Sequence, residues 1–301
     1  MNLDTKLEER KSSLLTDGIS GDEIFIIKNK DKNFVFKRSI KNSVRLEQNA
    51  SKQKQFRPIN NIEPISITQT SWDDDGSFGF IMPYISGLTG SNLIQNSSVH
   101  ELQQITNSLL EMIKTFISAS RKEKLISHWP IFSNKIESLK KEILANPFID
   151  DQRFYDEIFS MPIIKLKPNN EHNILLGPNH GDLTFSNIIF RRNDNKIFLF
   201  DFLTSFIESP LNDIAKIEQE FIFIWSSRNR TKPLITKAKI LGQHMFPKFS
   251  QLITPDLTYS YHLMSILNLL RILPYSTEEK TVDLVTRSLQ QKLHQIHLIG
   301  K

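Results

Sequence analysis

The stretch from Asn179 to Phe202, NHGDLTFSNIIFRRNDNKIFLFDF, constrains the fold more than any other part of the chain. Two short apolar runs rich in Ile and Phe flank a polar turn, and this pattern predicts a β-hairpin. Asp182 precedes the hairpin, Asn187 begins its first strand, and Asp201 follows its second strand. Two carboxylates and one amide are therefore placed at strand ends, where we expect them to converge on one point.

The spacing of these residues is that of a known motif. Asp182 ends an H-G-D sequence, Asn187 follows it by five residues, and Asp201 follows Asn187 by fourteen. This order resembles the catalytic loop of kinases and the metal-binding aspartate after it. Because the middle residue is glycine, the motif is most similar to that of the aminoglycoside phosphotransferase and choline kinase-like family of small-molecule kinases.

The resemblance implies a role for each residue of the motif. A carboxylate accepts or positions the proton of an attacking hydroxyl, while an amide and a second carboxylate offer the hard oxygen ligands that Mg²⁺ prefers. Asp182 would be the catalytic base, Asn187 and Asp201 would bind Mg²⁺, and His180 would orient the loop. The alternative is a tight turn that uses Gly and Asp only for its backbone, and the complete ordered set disfavours it.

The same resemblance implies an α+β, protein kinase-like fold of two lobes. Residues 1–86 would form a small nucleotide-binding lobe with an antiparallel sheet, and residues 87–301 a mostly helical lobe. The activity would transfer the γ-phosphate of ATP, with Mg²⁺, to a hydroxyl of a small molecule. A sugar, an amino alcohol, choline and an aminoglycoside all remain possible acceptors, and the choice between ATP and GTP stays open.

Near the amino terminus, residues 13–40 have the pattern of three strands separated by two turns. Gly18 and Gly21 lie in the first turn, where glycine would let backbone amides approach phosphate oxygens, although a simple turn explains them equally well. Alternation places Val35 and Lys37 on one face of the last strand. By resemblance, Lys37 binds the phosphates and Val35 covers the adenine; the alternative for Lys37 is an edge-strand lysine in water.

A short helix follows, and it carries the acid that the resemblance pairs with Lys37. Glu47 is the expected partner, because a positioned carboxylate would fix the ammonium against the phosphates. Glu63 is a less favoured substitute, because Pro64 follows it and favours extended backbone.

The segment 82–87, MPYISG, resembles the hinge that joins kinase lobes. Met82 would be the residue before the hinge, Pro83 would offer its carbonyl to the adenine, and Ile85 would offer its amide. Ile189 would form the floor of the adenine pocket. Flanking this segment, an Asp-Gly turn between apolar runs predicts a further hairpin.

Beyond residue 87 the apolar spacing becomes helical. Ser98 and Glu101 have the pattern of a capping box at the start of a long amphipathic helix. Pro210 begins a helix in which Asp213 resembles a family residue that we expect to cap or brace the catalytic loop. Further helices are predicted at residues 131–144, 151–159, 232–246, 255–273 and 277–298.

Composition limits the partners. The chain has 38 Lys and Arg against 33 Asp and Glu, a net charge of +5 that suits an anionic ligand such as ATP but predicts no nucleic-acid binding. It has no cysteine, which excludes disulfides, thiolate nucleophiles and cysteine-ligated zinc. Neither a signal peptide nor an apolar run of membrane-spanning length is evident, so we expect a cytoplasmic protein.

Two other hypotheses remain. One is a catalytically silent nucleotide-binding or scaffolding protein on the same fold, which the joint presence of Lys37, Asp182, Asn187 and Asp201 disfavours. The other is an interaction domain of unrelated fold, for which the ordered motifs would be coincidence.

Overall fold

The computed structural model describes residues 11–14, 22–29, 32–149, 152–165 and 167–299. Gly18 and Gly21, predicted to lie over the phosphates, are outside the described residues. The strands are β1 Lys11–Leu14, β2 Glu23–Asn29, β3 Lys32–Ser39, β4 Ile62–Pro64, β5 Gln69–Trp72, β6 Phe78–Pro83, β7 Arg121–Lys124, β8 Asn173–Leu176, β9 Ile188–Arg191 and β10 Lys196–Leu199.

Helices make up most of the remaining described chain. They are α1 Ser43–Gln55, α2 Gly90–Asn96, α3 Val99–Ser118, α4 Leu125–Leu144, α5 Gln152–Ser160, α6 Pro162–Lys165, α7 Pro210–Phe221, α8 Lys232–Met245, α9 Pro247–Ser250, α10 Thr258–Leu270 and α11 Glu279–Ile299. Short 3₁₀ turns lie at Phe185–Asn187, Trp225–Ser227, Pro255–Leu257 and Leu273–Tyr275. None of the helices in the described part of the chain combines the length and the apolar character that crossing a membrane requires.

The chain divides into two compact units that each draw on separate segments. The first unit contains the described residues up to Asn96 together with Ser186–Thr204, and the second contains Ser97–Phe185 and the described residues from Ser205 onward. The predicted hairpin β9–β10 therefore belongs to the unit of the amino-terminal sheet. The expected lobe boundary near residue 86 stays a prediction.

The first unit is built on an antiparallel sheet of five strands in the order β1-β2-β3-β6-β5. Alternation along β3 separates two apolar clusters. Val35 packs against the cluster that contains Met82 and Phe80, whereas Phe36 belongs to a second cluster with Ile27. Strand β3 lies between β2 and β6, so Lys37 is on an internal strand, and its side chain is buried.

A second sheet in this unit has the order β4-β10-β9, with β4 parallel to β10 and β9 antiparallel to it. The predicted hairpin is thus present. Leu88 bridges to Phe190 of β9, so the segment after β6 lies against the hairpin. Gly87 is required there, because a Cβ at this position would lie 2.7 Å from the Phe190 carbonyl oxygen.

The second unit is helical, with a small antiparallel sheet of β7 and β8. Helix α3 begins with the predicted capping box, in which Ser98 and Glu101 exchange hydrogen bonds. Helix α4 starts at Leu125, earlier than predicted, and runs through Pro130. Strand β7 has the sequence RKEK, which carries no apolar alternation and was not predicted.

Helices α7 and α10 pack together at the centre of this unit, and every residue of α7 is buried. Burial of charged residues requires partners. Glu218 of α7 meets Lys292 of α11, whose Nζ lies 2.7 and 2.8 Å from the two carboxylate oxygens. The Ser265 hydroxyl also donates to Glu218.

We expect Lys292→Met to lower the free energy of unfolding by about 3–5 kcal/mol, because it leaves the Glu218 carboxylate buried without its counter-ion. The double variant Lys292→Met with Glu218→Met should lose less than the single variant, because no charge remains buried. Urea unfolding measures both. Lys114→Met, in an exposed pair with Glu111 at 2.8 Å, is the matched control and should change stability by about 1 kcal/mol or less. Equal losses in all three proteins would contradict the assignment.

Candidate active site

Lys37 forms two ion pairs within the first unit. Its Nζ lies 2.6 Å from Oδ1 of Asp201 and 3.2 Å from Oδ2 of Asp22, and the Lys37 side chain is only 8% exposed. Burial lowers the pKa of Lys37, but the charges and hydrogen bonds of Asp201 and Asp22 outweigh it and raise the pKa above its usual value. The alternative of an edge-strand lysine in water is therefore wrong.

The predicted pairing of Lys37 with Glu47 is also wrong. Glu47 is exposed on α1, and its Oε1 accepts a hydrogen bond of 3.1 Å from Nε1 of Trp72. Glu63, the substitute, pairs with Lys196 at 2.6 Å. The helical pattern correctly predicted α1, but it carried no information about which side of the helix faces Lys37.

Asp22 takes the place that was expected for Glu47, and the sequence analysis missed it. Strands β2 and β3 pair with Ile24 opposite Lys37. Side chains two residues apart on a strand share a face, so Asp22 is the diagonal neighbour of Lys37 across the hairpin. The hairpin register is therefore the signal that identifies this residue.

Asn187 and Asp201, the predicted metal ligands, are brought together by the hairpin. The amide of Phe200 donates a 3.2 Å hydrogen bond to the Asn187 carbonyl, and Asp201 is the next residue after Phe200. Asp201 has φ +57°, a left-handed conformation that aspartate adopts more readily than most residues, and its side chain is 36% exposed.

This donor set fits Mg²⁺. Among the described residues, no group of three or more His, Asp or Glu side chains forms an all-protein metal cage. Mg²⁺ is usually held by one or two carboxylates together with phosphate oxygens and water rather than by such a cage. One carboxylate and one amide oxygen are therefore an adequate protein contribution.

The residues predicted to surround adenine share one apolar cluster. Val35, Ile85 and Ile189 all pack in the cluster that contains Met82. Pro83 ends β6 directly opposite Phe34 of β3. Their adenine-binding roles stay predictions, but the structure places the side chains of Val35, Ile85 and Ile189 together.

In the second unit, helix α7 holds the backbone of the H-G-D motif. The Asp213 carboxylate accepts hydrogen bonds from the amides of His180 at 2.6 Å and Gly181 at 2.9 Å. The Asn212 side chain donates to the Gly181 carbonyl at 3.0 Å. Gly181 has φ +90°, which favours glycine. The expectation that Asp213 braces the catalytic loop is confirmed.

Asp182 is paired with a lysine that the sequence analysis did not single out. Nζ of Lys216 lies 3.0 Å from Oδ1 of Asp182, and the two side chains are 8% and 24% exposed. Burial raises the pKa of Asp182, but Lys216, with His180 and Arg271, outweighs it and holds the pKa below its usual value. Asp182 is therefore ionised at neutral pH.

Glu220 forms a third contact between α7 and the loop of residues 180–185, which contains the H-G-D motif. Its carboxylate accepts hydrogen bonds from the Phe185 amide at 3.2 Å and from the amide and hydroxyl of Ser226 at 3.1 and 2.9 Å. Burial raises the pKa of Glu220 to about 7, against the opposing effect of these hydrogen bonds. Asp213, Lys216 and Glu220 are three and four residues apart, which places them on one face of the helix.

Comparison with known proteins finds similar folds but no similar sequences. No protein-family model matches the chain, and no curated protein matches it by sequence. The fold is similar to that of choline kinase LicA from Streptococcus pneumoniae, with 14% identity over 97% of this chain and 98% of that chain and a TM-score of 0.54. Plasmodium vivax ethanolamine kinase is 14% identical over 96% of this chain and 84% of that chain, with a TM-score of 0.51.

A third similar structure is a ternary complex of a thermostable mutant of aminoglycoside phosphotransferase APH(4)-Ia with ADP and hygromycin B. It is 13% identical over 95% of this chain and 97% of that chain, with a TM-score of 0.52. The predicted α+β, kinase-like fold, with its resemblance to this group of small-molecule kinases, is confirmed. The hypothesis of an unrelated fold is wrong.

The raised pKa of Glu220 gives stability a defined pH dependence. The unfolded carboxyl ionises near pH 4.5 and the folded one near 7, so the folded state holds the extra proton between these values. The stabilisation that protonated Glu220 provides is complete below pH 4.5, and it falls by about 3 kcal/mol as the pH rises to 7. Glu220→Gln, which mimics the protonated form, should lack this decrease.

Urea unfolding of the parent and Glu220→Gln at a series of pH values from 4 to 8 measures the difference. The free-energy gap between the two proteins should widen towards pH 8 in favour of the variant. A gap that does not change with pH would show that Glu220 ionises alike in the folded and unfolded chains.

Proposed function

We propose that this protein is an ATP- and Mg²⁺-dependent phosphotransferase that moves the γ-phosphate of ATP to a hydroxyl of a small molecule. The observation that supports it most is the 2.6 Å ion pair between Lys37 and Asp201, residues 164 positions apart in the chain. The motif resemblance assigns one to the phosphates and the other to the metal. Their contact is what these two roles require, because both act on the same polyphosphate.

In the proposed reaction each side chain has a limited task. Lys37, fixed by Asp22, presents a positive charge to the phosphates. Asn187 and Asp201 would hold Mg²⁺, which when bound supplies charge neutralisation for the phosphate oxygens. Val35, Ile85 and Ile189 would contact the adenine.

Asp182 receives the proton of the acceptor hydroxyl. As the new bond forms between the acceptor oxygen and the γ-phosphorus, the bond to the bridging oxygen breaks and ADP leaves with that electron pair. An ionised carboxylate is needed for this task, and Lys216 keeps Asp182 ionised. Asp213 holds the loop backbone, so the carboxylate does not need to be reoriented during the reaction.

Two features of the similar structures agree with the proposal. The APH(4)-Ia complex contains a nucleotide and a small hydroxyl-bearing molecule together. The choline and ethanolamine kinases are named for acceptors that carry a hydroxyl. We place the reaction in the cytoplasm, where ATP is available.

The first test concerns Lys37. We expect Lys37→Met to weaken MgATP binding or lower kcat by about 10- to 100-fold, because a charge-assisted contact with phosphate is lost. Calorimetry with MgATP and an ADP-release assay measure the two effects, well below the melting temperature of each protein. Lys28→Ala, an exposed lysine of β2, is the control and should match the parent. Equal behaviour of both variants would remove Lys37 from the phosphate site.

The second test separates an enzyme from a silent nucleotide binder. Asp182→Asn keeps the shape of the side chain and removes the base, so MgATP affinity should stay within a few-fold while the rate falls about 100-fold or more. Calorimetry gives the affinity, and single-turnover phosphorylation or slow ATP hydrolysis gives the rate. An unchanged rate would exclude Asp182 as the base. A parent protein that binds MgATP but phosphorylates no acceptor in a broad panel would favour the silent binder.

A further inference from the structure

A lysine lies beside the proposed base. Lys216 lies 3.0 Å from Asp182, and at 8% exposure its side chain is fixed inside the second unit. Its backbone belongs to α7, which is buried along its whole length, so the lysine is anchored within the second unit. The carboxylate that would meet the acceptor is therefore already neutralised by the protein.

The other acids of α7 are engaged as well. Both carboxylate oxygens of Asp213 accept backbone amides, at 2.6 and 2.9 Å. Glu220 accepts hydrogen bonds from Phe185 and Ser226, and Glu218 is bound by Lys292. Each acid on this helix already has a donor within the protein. A positively charged acceptor would therefore compete with that donor for every carboxylate of the helix.

An acceptor hydroxyl would lie close to this ammonium. A reacting oxygen within hydrogen-bond reach of Oδ1 of Asp182 would be about 6 Å or less from Nζ of Lys216, given the 3.0 Å ion pair. A positive group on the neighbouring carbon of the acceptor would feel both the attraction of Asp182 and the repulsion of Lys216. Lys216 largely cancels the attraction of Asp182, which acting alone on a positive group at such distances would raise its affinity by about tenfold or more.

We infer that Lys216 is a specificity-determining residue, and that the acceptor is a neutral or acidic sugar or polyol whose reacting hydroxyl has no ammonium group beside it. This inference rests on the proposed phosphotransferase function and narrows its substrate class. Arg271, close enough to act on Asp182, adds to the positive charge on this side. Lys216 thereby sets the charge that the acceptor meets and holds the base in its ionised form.

Matched acceptors test the inference with the full-length protein. ADP release with MgATP is measured for galactose, galactosamine and galacturonate, for the glucose series, and for glycerol, 3-amino-1,2-propanediol and glycerate. The neutral or acidic member of a series should have a kcat/KM equal to or above that of its amine, because Lys216 cancels the attraction that Asp182 alone would exert on the amine. An amine preferred in every active series would overturn the inference and leave the phosphotransferase function intact.

Substitutions assign the preference to the charge of Lys216. In Lys216→Met the ratio of amine to neutral kcat/KM should rise about tenfold, whereas Lys216→Arg, which keeps the charge, should retain the parent ratio. Lys248→Met, a surface lysine that contacts Asn107, is the control and should also retain it. Melting temperatures check that each variant is folded, and Lys216→Gln, which also removes the charge, serves if the methionine variant is not.

Two outcomes would reject this role of Lys216. An unchanged amine-to-neutral ratio in Lys216→Met, with a raised KM for MgATP, would show that the lysine serves the nucleotide. No acceptor-dependent ADP release from any compound, although MgATP binds, would overturn the phosphotransferase function and the inference together.

Discussion

The burial of helix α7 is the constraint on which the second unit depends. All of its residues are buried, yet four of them are Asp213, Lys216, Glu218 and Glu220. A buried charge without a partner costs several kcal/mol, so each of these side chains must meet a specific donor or acceptor. The helix therefore cannot be packed by apolar contacts alone. Its neighbours are selected and oriented by their ability to satisfy charge.

The same constraint acts on the first unit at one point. Lys37 is buried on an internal strand of the sheet, and two carboxylates compensate for its burial. One of them, Asp22, is itself buried, whereas Asp201 remains 36% exposed. The division suits the proposed chemistry, because Asp22 fixes the ammonium permanently while Asp201 keeps an oxygen accessible to a cation. The acid that fixes Lys37 is therefore Asp22, directly before strand β2, and not Glu47 on helix α1.

Sequence patterns predicted features that depend on local order. The hairpin β9–β10 and the capping box at Ser98 follow from spacing within a short segment, and the bracing role of Asp213 follows from the resemblance of its segment to a family motif. Features that depend on which surfaces meet were missed. Lys216 and Glu220 share a helical face with Asp213, but only the packed structure shows that this face lies along the loop.

Other errors have equally local causes. Helix α4 was predicted from residue 131 but begins at Leu125, and it continues through Pro130 although proline in a helix interior loses a backbone hydrogen bond. Strand β7 is made of charged residues and is a strand only because β8 pairs with it. The Glu47 error arose because a helical pattern with a weak apolar face gives little information about direction, whereas the register of β2 and β3 would have indicated Asp22.

The spacing of charges on α7 explains how a loop can carry a precisely placed carboxylate. From Asp213 to Glu220 the helix rises about 10 Å, whereas the five residues from His180 to Phe185 could extend to about 17 Å. The loop is therefore less than fully extended, with a left-handed residue at Gly181, and is held near both ends and at Asp182. A helix is more rigid than a loop, so a loop attached at three points acquires the precision of the helix. Asp182, the proposed base, is thereby oriented in the folded chain itself, and the conformational entropy of fixing it has already been lost when the chain folds.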